Sequence, residues 1–184
     1  LPELVAGAPE HDCGRMPTLW IIEGRIMVRT VGTDASERKV VNDVAEFGWH
    51  CVGIMEEGDE PAYSFTVGLF KTFKHPELMI FGVPPSVGQQ LLNIVGQALR
   101  DGEPIDLSQP TDALLEGYSC CFVPVPKAHY REFVGFARWY YEGDDFPLYQ
   151  VVWPSRSGLF PWDADAHPQF RAAQPVLGEP LLNG

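Results

Sequence analysis

Residues 78–83 read Leu-Met-Ile-Phe-Gly-Val, a stretch without one polar side chain. No alternation marks a wet face, and the run is too short for a buried helix. A segment of this kind is a central strand covered on both sides, so the rest of the chain has to supply the cover. Upstream, Trp49–Met55 and Ala62–Phe70 are β-type runs joined by the charged turn Glu56-Glu-Gly-Asp-Glu-Pro61, the pattern of a hairpin. Downstream, Pro84-Pro-Ser86 opens a helix that Gly102 closes. Val87, Leu91, Ile94, Val95 and Ala98 form its apolar face, with Gln90, Asn93, Gln97 and Arg100 turned away.

The remaining elements follow from the same signals. Asp34-Ala-Ser-Glu37 has capping-box spacing and starts a helix with apolar Val40, Val41, Val44, Ala45 and Phe47, ended by Gly48. Tyr118–Val125 and Leu148–Trp153 read as strands, and Ala128–Tyr141 as a helix between them. Leu19–Ile22 and Arg25–Val31 around Glu23-Gly24 suggest a first hairpin. This order is too mixed for a doubly wound parallel sheet. It predicts an α+β fold, a single domain with a mainly antiparallel sheet and about three helices packed on it. The expected bounds are an N-terminal arm over 1–17, the domain over 18–178 and a C-terminal tail over 179–184; the 184 residues, 45% of them hydrophobic, suffice for one core.

Charge narrows the partners. Lys and Arg number 13 against 25 Asp and Glu, a formal charge of -12. Neutralising a nucleic-acid backbone needs clustered cations, so nucleic acid is not expected as a partner. Neither is an anionic membrane surface. No apolar run approaches the roughly 18 residues of a bilayer span, and Leu1–Gly14 lacks a basic stretch leading into an apolar one. A cytoplasmic location is the expectation. Cys13, Cys51, Cys120 and Cys121 do not have the spacing of a disulfide framework, and a strand sends the adjacent pair to opposite faces.

Phosphate-loop, dinucleotide-loop, nucleophile-elbow and His-Glu-x-x-His signatures are all missing. Four constellations remain. His75-Pro-Glu77 places an imidazole and a carboxylate beside a fixed bend, the parts of an acid/base pair, and the alternative is a loop cap with a solvated acid. In Tyr63-Ser-Phe-Thr-Val-Gly-Leu69, alternation sets Tyr63, Phe65 and Val67 on one face. Ser64, Thr66 and Gly68 take the other, a small polar row that a ligand or another backbone can approach. Gln150-Val-Val-Trp-Pro154 and Gly158-Leu-Phe-Pro-Trp162 make a rigid aromatic corner around Trp153, Phe160 and Trp162, fit to grip a flat ligand or to pin a loop. Asp163, Asp165 and His167, with His50 and Cys51 as distant partners, are a weak cation-site pattern, and no metal site is assigned.

Taken in order, Gly48-Trp-His-Cys-Val, Tyr63-Ser-Phe-Thr-Val-Gly-Leu69, His75-Pro-Glu-Leu78, Gln150-Val-Val-Trp-Pro154 and Gly158-Leu-Phe-Pro-Trp162 resemble the bacterial domain-of-unknown-function family 4262, over roughly residues 35 to 178. The family pattern carries an acidic residue after Trp-Pro, where this chain has Ser155. The resemblance implies no activity, substrate or cofactor. A weaker similarity links Phe65-Thr-Val-Gly-Leu69 and its following strand and helix to flavin-reductase-type split barrels, in which Ser64, Thr66 and Gly68 would face the flavin phosphate. The leading functional expectation is a binding module for a small molecule or protein. Its groove is lined by Tyr63, Ser64, Thr66, Gly68, Gln150, Trp153, Phe160 and Trp162 together with the His-Pro-Glu loop. The alternative is an enzyme with His75 and Glu77 as acid/base pair, flavin- or metal-dependent.

Overall fold

A computed structural model describes residues 26–180. The 78–83 run forms β3 (Glu77–Phe81), buried at every position. It sits inside a six-stranded sheet of order β1-β2-β3-β6-β5-β4, formed with β1 (His50–Ile54), β2 (Tyr63–Val67), β4 (Thr111–Leu115), β5 (Tyr118–Pro124) and β6 (Leu148–Val152). Among the described residues only β3 and β6 pair in parallel; every other neighbour is antiparallel. The fold is α+β with a mixed, mainly antiparallel sheet, and its helices lie on both faces. α1 (Ala35–Phe47), α4 (Tyr130–Phe133) and α5 (Gly135–Tyr140) close a core containing Val52, Phe65, Met79, Phe81 and Leu148. α3 (Pro85–Asp101) closes the other over Leu78, Ile80, Phe122 and Val151.

The cap of α1 is as the sequence reads: Asp34 accepts the Glu37 N–H at 2.8 Å. The Glu37 carboxylate reaches one residue further back than expected, to Thr33 N–H and hydroxyl. On α3 the contact face differs from the predicted one. Val87 and Ile94 are exposed, and the buried stripe is Gly88, Leu91, Leu92, Val95 and Gly96. The two glycines let the helix sit close: a Cβ at Gly88 would lie 2.8 Å from the Ser64 hydroxyl, and one at Gly96 2.3 Å from the Trp49 ring.

Two expected elements break. The 62–70 strand stops at Val67, because Gly68 takes a left-handed turn (φ 109°) into the short α2 (Leu69–Phe73). The 128–141 helix is a 3-10 turn (Lys127–His129) followed by α4 and α5, interrupted where Val134 leaves helical angles ahead of Gly135. Strand β4 and helix α6 (Pro168–Ala173) were not expected. The first arm of the 19–31 hairpin lies outside the described residues. Its second arm is no strand from Ile26 on, and Arg29 donates its N–H to Tyr140 O at 2.8 Å. Among the described residues, no helix is long and apolar enough to cross a membrane.

Candidate functional site

The structure uses most of the singled-out residues internally. Glu77 is fully buried, and its carboxyl accepts from the Thr66 hydroxyl at 2.6 Å, Gly68 N–H at 2.8 Å and Phe70 N–H at 3.1 Å. The Tyr141 hydroxyl donates to it as well. Both hydroxyls also receive a backbone N–H, Thr66 from Leu78 and Tyr141 from Lys71, which leaves their own protons for Glu77. Burial pushes this carboxyl above its ordinary range, and the hydrogen bonds pull the other way without cancelling it. Burial, and then the neighbouring Glu77 charge, raise the Tyr141 phenol in turn. The Thr-Val-Gly-Leu and His-Pro-Glu-Leu segments are therefore two halves of one cage. It holds the Gly68 turn and the start of α2 against the sheet.

His75 does not meet Glu77's carboxyl. Its Nδ1 donates to Pro76 O at 2.7 Å, which leaves Nε2 as an acceptor, buried and without a hydrogen-bond partner. The residue is 8% exposed, and burial depresses its pKa while the Pro76 hydrogen bond opposes. The unfolded chain thus takes a proton that the fold resists. Unfolding free energy should be fully present above the ordinary histidine value and fall as pH drops below about 6.5. Urea titrations across that range should show the loss, and His75→Asn should flatten that part of the profile. An unchanged profile in the variant would show that His75 does not carry this pH dependence.

The aromatic corner is at the other end of the sheet. In the parallel pair Glu77 lies beside Leu148 and Ile80 beside Val151. Trp153 follows, its indole donating to Phe81 O at 2.9 Å, while His75 precedes β3. About seven residues of strand, roughly 20 Å, separate the two. A single groove lined by all three segments is not formed. Tyr63 is at the Trp153 end, beside Phe81. Ser64 is buried and donates to Pro85 O at 3.2 Å. Gln150, also buried, binds the C-terminal stretch through Pro175 O at 2.8 Å and Leu177 N–H at 3.0 Å. Phe160 and Trp162 stack on each other at 4.7 Å.

Ser155 keeps its side chain within its own turn. Its hydroxyl accepts the Leu159 N–H at 3.2 Å and closes the turn. Asp163 accepts Phe160 N–H and His167 caps α6, and among the described residues no three His, Cys, Asp or Glu gather into a metal-holding group. A flavin phosphate would find Ser64, Thr66 and Gly68 buried under α3 and the Glu77 cage.

A cleft of about 940 Å³ lies elsewhere, between α1, β1 and α3. Trp49, His50 and Cys51 from β1 and its approach form one wall, and Gln89, Asn93 and Gln97 from α3 another. Asn93 Oδ1 accepts from the Trp49 indole at 2.8 Å and from the Cys51 thiol at 3.3 Å. Asp43 of α1 binds His50 Nδ1 at 2.7 Å and Lys39 at 2.8 Å. Partial burial raises the Asp43 carboxyl, but Lys39 and His50 outweigh it and leave it below its ordinary value. Burial, reinforced by the Glu77 charge, pushes the Cys51 thiol up to about 12, which leaves it protonated and a poor nucleophile. Asp43 and Asn93 were invisible in the sequence, since one is seven residues before His50 across a helix cap and the other is on a distant helix.

A six-stranded α+β domain with a polar cleft beside its first strand defines the structural class. The pattern of the family described as Domain of unknown function (DUF4262) matches residues 43–167, and the chain belongs to that family. No curated protein and no solved structure matches it.

Proposed function

We propose that this domain is a binding module, and that its working surface is the cleft between α1, β1 and α3. The observation that carries this is a division of labour. The Thr-Val-Gly-Leu, His-Pro-Glu-Leu and Gln150 segments spend their polar groups on the fold. The cleft's side-chain amides and imidazole are tied by one end only, through Asn93 Oδ1, Gln89 Nε2, Gln97 Nε2 and His50 Nδ1, and each carries a second polar group at the cleft wall. Phe47 and Ile94 at its rim are 43% and 41% exposed, an apolar lip that water leaves readily. Asp43 fixes the orientation of His50, so a ligand meets a pre-set ring rather than a rotating one.

The test is a fragment screen on isotope-labelled protein, with the Trp49 indole signal assigned by Trp49→Phe. Confirmed hits should shift the Trp49 indole and the Asn93 and Gln97 side-chain amides. Hits that leave these unmoved and gather on Trp153, Phe160 and Trp162 would return the function to the aromatic corner.

A further inference from the structure

We infer that the cleft takes an extended basic peptide, added as a further strand on β1; this rests on the cleft being the working surface. Among the described residues β1 is an edge of the sheet, hydrogen-bonded to β2 alone. Cys51 O accepts Gln89 Nε2 at 3.3 Å, so the Cys51 backbone points away from β2, and alternation turns Gly53 the same way. A side-chain amide at long range stands where a partner strand's N–H would donate. The strand His50-Cys-Val-Gly-Ile54 carries neither the lysine nor the proline that commonly blunts an edge. The opposite edge differs: β4 pairs with β5 through a register shift between Thr111 and Leu115, an irregularity that discourages addition.

Charge selects the peptide. The cleft's two cations are occupied within the protein, Lys39 by Asp43 and Arg100 by Glu46 O and Phe47 O over the Trp49 ring. Asp101 and Glu103 line the cleft near the start of β1, and Glu56 and Glu57 follow its end, all four exposed. Among the described residues none of these four has an ion-pair partner. A strand of this length spans about 17 Å. An incoming peptide with Lys or Arg near both ends therefore meets carboxylates at both, while its backbone meets Cys51 and Gly53.

The probe is a short labelled peptide alternating Lys and Val, followed by fluorescence anisotropy at low salt. Three comparisons accompany it: a Glu/Val peptide, the Lys/Val peptide N-methylated at alternate amides, and the variant Asp101→Lys/Glu103→Lys, which alters only exposed side chains. The Lys/Val peptide should bind, and each comparison should weaken binding about tenfold or more. The amide signals of Cys51 and Gly53 should move on binding. Equal affinity after N-methylation overturns strand addition, and equal affinity after charge reversal overturns the basic-peptide assignment. If no peptide binds while fragments still shift the Trp49 indole, the inference fails and the cleft survives. Peptide binding that shifts Trp153 and Trp162 instead refutes both.

Discussion

Glu77→Ala should cost this protein most or all of its stability. The substitution removes the acceptor shared by Thr66, Gly68, Phe70 and Tyr141, and it empties a fully buried site. Each stranded buried donor costs about 1–3 kcal/mol, so the four together cost roughly 4 kcal/mol or more. Domains of this size hold about 5–15 kcal/mol in total. Glu77→Gln keeps the shape and one carbonyl, strands about one donor, and should lose about 1–3 kcal/mol. The charge sets the pH dependence of the difference. Because the folded carboxyl sits above its ordinary value, the wild-type advantage is fully present at low pH and declines as pH rises through the folded pKa. Urea unfolding of both variants over the acid-to-neutral range checks this. A loss below about 1 kcal/mol in the alanine variant would show that the cage does not hold the fold.

Gly96→Ala should destabilise the domain by roughly 2–3 kcal/mol, even though alanine is the better helix former. Its Cβ would lie 2.3 Å from the Trp49 ring, which cannot yield freely. The indole is tied to Asn93 at 2.8 Å, and Arg100 covers its face. Relief requires the ring to move, and the Asn93 bond and the shape of the cleft wall go with it. Thermal melts should show the loss, and the Trp49 indole signal should shift while the Trp153 signal stays. A neutral or stabilising effect would mean that α3 and Trp49 are not packed as described.

The central strand was legible because six apolar residues between turn signals have few other fates. The β1–β2 hairpin, α1 and β6 were legible for the same local reason. α3 was read correctly in extent but rotated, since Val87 and Ile94 look like core, while Gly88 and Gly96 look like nothing. Close approach is recorded there as missing side chains, which an apolar count cannot see. β4 carries too few consecutive apolar residues to announce itself, with Thr111 and Asp112 at its start. The site was less legible. His75 and Glu77 were read as a pair because they are neighbours in sequence, yet strand geometry parts them and gives Glu77 to residues up to 64 positions away. Sequence proximity cannot tell a carboxylate that faces solvent from one that closes a core.

The most direct measurement is a crystal structure of the domain bound to a ligand recovered from the fragment or peptide experiments. Density in the cleft, in contact with Trp49, His50 and Asn93 and leaving the Glu77 cage intact, is the predicted result. Density against Trp153, Phe160 and Trp162, or an opened cage with ligand on His75 and Glu77, would contradict it.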